Sequence, residues 1–217
     1  MRITFFGAAQ NVTGSKHLIE SNECKLLLDC GLYQGKRHEV YALNQTLPFG
    51  VDTISATILS HAHADHCGML PLLVKNGYRN KIFATNATAD IARLIMLDSA
   101  EIQQHDYAQM KKRVSPGEKI LLPLYGTKDV EKVCALFETL SYAYRWHAWQ
   151  ELNPRCRFKF YDAGHILGSA ITVIQCNEQS GVKTLAYTGD LGNTNVPLLH
   201  EPEPIAESVE TLIIECT

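Results

Sequence analysis

Ser60-His61-Ala62-His63-Ala64-Asp65-His66-Cys67-Gly68 puts three of the chain's nine histidines and a carboxylate within six residues. The apolar run Ile54 to Leu59 precedes it, so the stretch reads as a strand entering a tight loop at a sheet edge. Imidazole nitrogen and carboxylate oxygen are the donors that hold zinc, at about 2.0–2.2 Å. From an extended backbone the i, i+2 spacing of His61 and His63 turns both rings to the same side. Asp65 and His66 follow as the chain turns and are expected to face a second ion. Cys67 is one more candidate donor, but the expected role is a buried thiol.

Working outward, three other expected strands end in a residue that can join this loop. Cys24 to Asp29 pairs as a hairpin with His17 to Glu20 around Ser21-Asn22-Glu23, and ends in Leu28-Asp29-Cys30-Gly31. By itself Asp29 reads as a turn cap, the alternative being a carboxylate that orients a metal-bound histidine. Arg157 to Tyr161 alternates basic and aromatic residues like a half-buried strand and leads into Gly164-His165. Lys183 to Tyr187, paired with Ile171 to Cys176, ends in Thr188-Gly189-Asp190. Alone, Asp190 is an Asx turn as readily as a ligand; beside His165 and the opening loop, the ligand reading is favoured. Before these, Arg2 to Phe6 is expected as a strand, followed by the small, polar loop Gly7 to Ser15, whose glycines allow a close approach to a site.

Between the strands, helices are expected over Met69 to Asn76, stopped by Gly77; over Ala87 to Met110, with Ile91, Leu94, Ile95, Leu97 and Ile102 as its apolar stripe; and over Lys128 to Trp149, with Thr127 as N-cap. Asn44 to Asp52 reads as a loop. Lys111-Lys112-Arg113 suits a solvated helix end, contact with a phosphate backbone being the weaker alternative, and a linker through Pro116-Gly117 follows. Tyr142, Tyr144, Trp146 and Trp149 read as core aromatics and His147 as structural. A last strand, Thr211 to Ile214, runs into Glu215-Cys216-Thr217.

The 217 residues suit one domain and can bury a full core. A net charge of −3 gives no global attraction to polyanions, so any such site is local or made by metal. The seven cysteines are scattered without a C-x-x-C pair, which reads as thiols in a reducing compartment rather than a disulfide framework. No signal peptide or membrane span is visible, and a cytoplasmic location is expected. His61, His63 and His165 can complete three positions on one zinc, with Asp65, His66 and a bridging Asp190 on a second. Two such ions, with a hydroxide formed between them, suit metal-assisted hydrolysis.

These motifs resemble those of the metallo-β-lactamase fold. His61-Ala62-His63-Ala64-Asp65-His66 matches its H-x-H-x-D-H signature, and Leu28 to Gly31, Gly164-His165 and Thr188 to Asp190 match its other motifs in order. The wider wording of Gly7 to Ser15, Ala163 to Ala170 and Tyr187 to Gly192 is similar to the β-CASP branch, nucleases of RNA processing. The resemblance implies an α/β fold, a four-layer αββα sandwich incomplete at the C-terminus, with residues 1–217 as the first, larger part of the domain. It makes Asp29 the residue that orients a metal-bound histidine. It also matches Glu215 to the acidic residue that opens a cap domain, expected to begin near 215, with Glu-Cys-Thr here in place of Glu-Ser-Thr. The chain is accordingly expected to be an N-terminal fragment, without the later histidines that complete the second zinc.

The implied function is a zinc-dependent ribonuclease, endo- or 5′-exonucleolytic. Asp65, Asp29 and Glu215 would be its catalytic residues, and His61, His63, His165, Asp65, His66 and Asp190 the ligands of two zinc ions. Single-stranded RNA is the expected partner; DNA and a homodimer stay open, and no membrane is expected. One rival is a small-molecule hydrolase of the same fold, such as a lactonase, thioesterase or glyoxalase-like enzyme. An inactive fragment or non-catalytic subunit is another. A flavin-linked di-iron oxidoreductase would carry Glu where His63 stands.

Overall fold

In the computed structural model, residues 1–22, 24–113, 120–142 and 149–216 are described. Glu23, Pro116-Gly117, Tyr144, Trp146, His147 and Thr217, to which the sequence reading gave roles, lie outside them. Two sheets face each other. The first has six strands in the order β1 (Arg2–Phe5), β2 (His17–Ser21), β3 (Cys24–Leu28), β4 (Ala56–Ile58), β5 (Ile82–Thr85) and β6 (Phe137–Leu140). Its first three strands are antiparallel and the rest parallel. All three residues of β4 are buried, as expected of a short parallel strand covered on both faces.

The second sheet is an antiparallel meander, β7 (Gln150–Asn153), β8 (Cys156–Asp162), β9 (Ala170–Glu178) and β10 (Gly181–Tyr187), with β11 (Thr211–Ile213) parallel to β10 at its edge. Between the sheets lie Ile19, Leu26, Leu28, Ile58 and Phe83 against Phe158, Phe160, Ile174 and Leu185. The outer face of the first sheet is covered by α3 (Leu70–Lys75), α4 (Asn86–Arg113) and α5 (Thr127–Cys134). On the outer face of the second sheet, Tyr161, Val173 and Ala186 pack against Leu191, Ile205 and Val209, which lie outside regular structure. Among the described residues, therefore, the helical layers lie on the first sheet's side. No described helix is long and apolar enough to cross a membrane.

Several local expectations are corrected. The helix expected over Lys128 to Trp149 ends at Cys134, because Phe137 to Leu140 is taken up as a strand beside Ile82 to Thr85. Its N-cap is Gly126, whose N–H donates to Asp129, and Thr127 is already inside the helix. Tyr142 and Trp149 do pack, partly buried, against the apolar clusters; Tyr142 also donates to the Ser169 carbonyl, and Trp149 lies over the side chains of Arg157 and Lys159. An unforeseen helix, α1 (Arg37–Asn44), precedes the loop before β4. In α4 the buried stripe is Ala89, Ala92, Met96 and Ala100, while Leu94 and Ile102 are exposed. Small residues let this helix lie close to its neighbours, and larger aliphatics flank the contact.

Strand β8 is buried along almost its whole length: Lys159, expected at a half-exposed position, pairs with Glu207 beneath Trp149. Cys156 and Cys176 face each other on β8 and β9, Cα atoms 4.3 Å apart, and are joined, against the expectation of thiols alone. They occupy the closer, non-hydrogen-bonded kind of antiparallel pair. The other five cysteines are free.

Candidate metal centre

The ends of β3, β4, β8 and β10 meet at one edge of the sandwich, and each delivers a side chain there. Asp29 directly follows β3, with a left-handed backbone at φ 59°. His61 and His63 follow β4, and Asp65 and His66 lie in the single turn α2 (Ala64–Cys67). His165 sits in the loop between β8 and β9, and Asp190 follows β10.

Backbone hydrogen bonds hold this loop in place before any metal is considered. Ser15 N–H donates to the Asp65 carbonyl (2.8 Å), Cys30 N–H to His66 (2.7 Å) and Leu32 N–H to Ala64 (2.9 Å). The chains approach so closely that a Cβ on Gly31 would sit 1.5 Å from the Asp65 oxygen. Lys16, buried behind them, donates to the carbonyls of Gly14 (2.8 Å) and Gly31 (2.6 Å). Across the sandwich, Ala170 N–H donates to the Ser60 carbonyl (2.8 Å), and on the second sheet's side Gly192 N–H donates to the Ala163 carbonyl (2.8 Å). The first bond ties the His165 loop to the first sheet, and the second ties the two loops of the second sheet to each other.

His61, His63, His165 and Asp190 each present a donor atom, all within 4.8 Å of one another. His63 Nδ1 lies 3.1 Å from His61 Nε2 and 3.2 Å from His165 Nε2. Asp190 Oδ2 is 3.6 Å from each of those two Nε2 atoms. Ligands of a tetrahedral zinc at 2.0–2.1 Å stand about 3.3–3.4 Å apart; these four separations lie near that value, and the whole set falls within 4.8 Å. Three imidazole nitrogens facing one point cannot all be satisfied by hydrogen bonds to one another, whereas a cation satisfies them together. The donor set therefore fits a metal ion.

The tautomer of His61 follows from its neighbours. Ser60 Oγ is 2.7 Å from Asp29 Oδ2 and 3.0 Å from His61 Nδ1. The carboxylate can only accept, so Ser60 donates to it and accepts from His61 Nδ1–H. Nε2 of His61 is then the free lone pair, aimed at the donor cluster. Burial, with the nearby His66 charge, pushes the His61 pKa down to about 3, and burial with His165 lowers that of His63. Both rings are thus neutral, the form that binds metal.

A second group adjoins the first. His66 Nε2 lies 3.2 Å from Asp190 Oδ1 and 4.0 Å from Asp65 Oδ2. Asp190 stands between the groups, one oxygen toward each. Nδ1 of His66 donates to Asp29 Oδ2 at 2.7 Å, which leaves Nε2 facing Asp190. Burial alone would lower the His66 pKa, but hydrogen bonds to Asp190 and Asp29 outweigh it and raise it to about 10. Burial would raise Asp190, yet the His66 hydrogen bond and the surrounding imidazoles hold it at about 2. Two carboxylates around one imidazole call for positive charge here, supplied by a proton or by a metal ion.

All seven side chains expected to hold or tune metal, counting Asp29, are brought to this edge. Glu215 accepts from Leu191 N–H (2.9 Å), the residue after Asp190, and lines the same cavity as His66 and Asp190. Cys67 is buried and points to the Ala62 carbonyl. Ser60, Tyr187 and Ser15 were given no role by the sequence reading. Each lies within a motif, but one hydroxyl among many carries no signal until its partner is placed. A cavity of about 750 Å³ leads from His66 and Asp190 between β1, the Ala8–Val12 loop and β11.

Comparison with known proteins bears on this arrangement. The family model described as the metallo-beta-lactamase superfamily domain matches residues 18–190. Ribonuclease TTHA0252 of Thermus thermophilus is 36% identical over 213 residues, covering 96% of this chain and 42% of that protein. Transcription termination factor FttA of Methanocaldococcus jannaschii is 30% identical over 217 residues, covering all of this chain and 31% of that protein. The chain thus spans less than half the length of these curated relatives. Among solved structures, Rm3 metallo-beta-lactamase aligns with a TM-score of 0.49 at 16% identity, covering 89% of this chain and 62% of that one.

Proposed function

The chain belongs to the metallo-beta-lactamase superfamily, and from that premise we propose that it carries the metal centre of a zinc-dependent ribonuclease. The observation that carries this reading is the meeting of His61, His63, His165 and Asp190, from loops of both sheets, with donor atoms within 4.8 Å of one another. RNA as substrate is supported by the relatives, one of which is named a ribonuclease. The reading of residues 1–217 as the first part of the domain, with a cap beginning near 215, belongs to the proposal and rests on the Glu215 motif. A cytoplasmic location is likewise proposed, independently of that motif.

In this reading His61, His63, His165 and Asp190 hold one zinc, and Asp65, His66 and Asp190 a second. Bound zinc supplies Lewis-acid polarisation of a phosphodiester and a water made acidic near pH 7. The protein's own groups do the rest. Asp29, through Ser60 and directly, fixes which nitrogen of His61 and His66 faces the site. Asp65, partly exposed beside His66, is placed to orient a water or take its proton. Glu215 holds the turn that carries Asp190.

Single-stranded RNA and a thioester, assayed side by side with the intact protein, test the proposal. Expected are RNA cleavage abolished by a chelator and restored by zinc, and two zinc ions per chain by elemental analysis. Thioester or lactone hydrolysis without RNA cleavage would instead establish a small-molecule hydrolase.

A further inference from the structure

A line of hydrogen bonds leads away from the donor atoms into the core. Tyr187 Oη lies 2.6 Å from Asp29 Oδ2 and 3.0 Å from Ser15 Oγ, and Ser15 Oγ lies 3.2 Å from His17 Nε2. All four side chains are buried. Their protons can be assigned in order. Asp29 only accepts, so Tyr187 donates to it; Tyr187 oxygen then accepts from Ser15, and Ser15 oxygen accepts from His17 Nε2–H. His17 Nδ1 is left as a buried acceptor without a partner. Leaving such an atom unpaired is a cost that an apolar residue at this position would not incur.

The line ends on the most heavily used atom of the site. Oδ2 of Asp29 accepts from Ser60 Oγ, His66 Nδ1 and Tyr187 Oη, at 2.6–2.7 Å. Ser60 pins the carboxylate on the His61 side by two bonds, its N–H to Oδ1 and its hydroxyl to Oδ2. On the far side, Tyr187 adds the contact that completes the set. We propose that His17, Ser15 and Tyr187 form a positioning chain which, through Asp29, aims His66 and so sets the affinity of the metal position built on Asp65, His66 and Asp190. The inference rests on reading that group as a metal position.

The test is a cobalt(II) titration of the intact protein, followed by visible absorption without RNA. His66→Ala identifies the uptake step belonging to this position. Tyr187→Phe keeps the ring and removes only the hydroxyl; it is expected to weaken that step about tenfold or more and to leave the other within about threefold. Ser15→Ala is expected to weaken it about threefold, and His17→Phe likewise. His17→Gln, which can keep an N–H toward Ser15, is expected to remain near wild type.

Equal weakening of both steps together with a lower thermal midpoint would mean lost packing and overturn the inference. So would Tyr187→Phe and Ser15→Ala leaving both steps unchanged. If Tyr187→Phe does not fold, the contrast of His17→Gln with His17→Phe decides by the same criteria. Wild type taking up no cobalt would sink the metal reading and this inference with it; two wild-type steps, both indifferent to the variants, would sink this inference alone.

Discussion

The two donor groups share Asp190 and otherwise differ in kind. The His61 group has four donors from loops of both sheets, all within 4.8 Å of one another, with His61 buried and His63 exposed. The His66 group has three, with His66 Nε2 3.2 Å from Asp190 and 4.0 Å from Asp65, and its histidine is buried. Support is distributed the other way. Behind His66 stand a direct bond to Asp29 and the backbone bonds of residues 64–66 to residues 15 and 30–32. A set of four donors suits retention, and a rigidly backed set of three leaves a position for reactants.

Removing the shared member breaks the comparison most severely. Asp190→Ala is expected to lose both ions by elemental analysis and to bring RNA cleavage to background; retention of one full equivalent would show that the groups are independent. Next in size, Gly31→Ala puts a Cβ into the Asp65 carbonyl, and a loss of about 4 kcal/mol or failure to fold is expected in thermal denaturation. Chelator titration should then separate the groups, the ion at His66 leaving before the ion at His61. With free zinc at 100 times the dissociation constant, each ion is worth about 2.7 kcal/mol of stability, readable as two steps in the thermal midpoint.

A pH-dependent effect of similar size concerns Lys16, which ties Gly14 to Gly31 behind the His66 group. Burial holds its pKa down to about 8, against 10.5 for an ordinary lysine. Between those values the unfolded chain binds more protons than the folded one, so stability rises as pH rises from about 8 to 10.5, by up to about 3 kcal/mol. Below pH 8 that contribution is absent. Comparing wild type with Lys16→Met in denaturant unfolding across this range isolates the slope. An equal slope in both would assign it to other groups.

What could be read from the chain alone was governed by how local the determinant is. His61, His63, Asp65 and His66 are legible because one turn carries them all; His165 and Asp190 because a polar residue between glycines at a strand end is poorly explained by packing. Asp29 was balanced between cap and orienter, since its meaning lies in Ser60, His66 and Tyr187, up to 158 residues away. The overlong helix from Lys128 fails for the same reason: residues 137–140 carry an apolar pattern open to either structure, and pairing with β5 decides it. Cys156 and Cys176 become partners only once the β8–β9 register is set.

The loops bearing His61 and His165 sit on opposite sheets and are separated by about 100 residues of chain. An ion gripping both would act as a staple across the sandwich. By the chain-entropy relation for a closed loop of about 100 residues, such a tie can remove on the order of 4–5 kcal/mol of unfolded-state freedom. The same ion that serves chemistry at the rim would then fasten the hydrophobic seam beneath it, so that metal supply and shelf life of the fold rise and fall together.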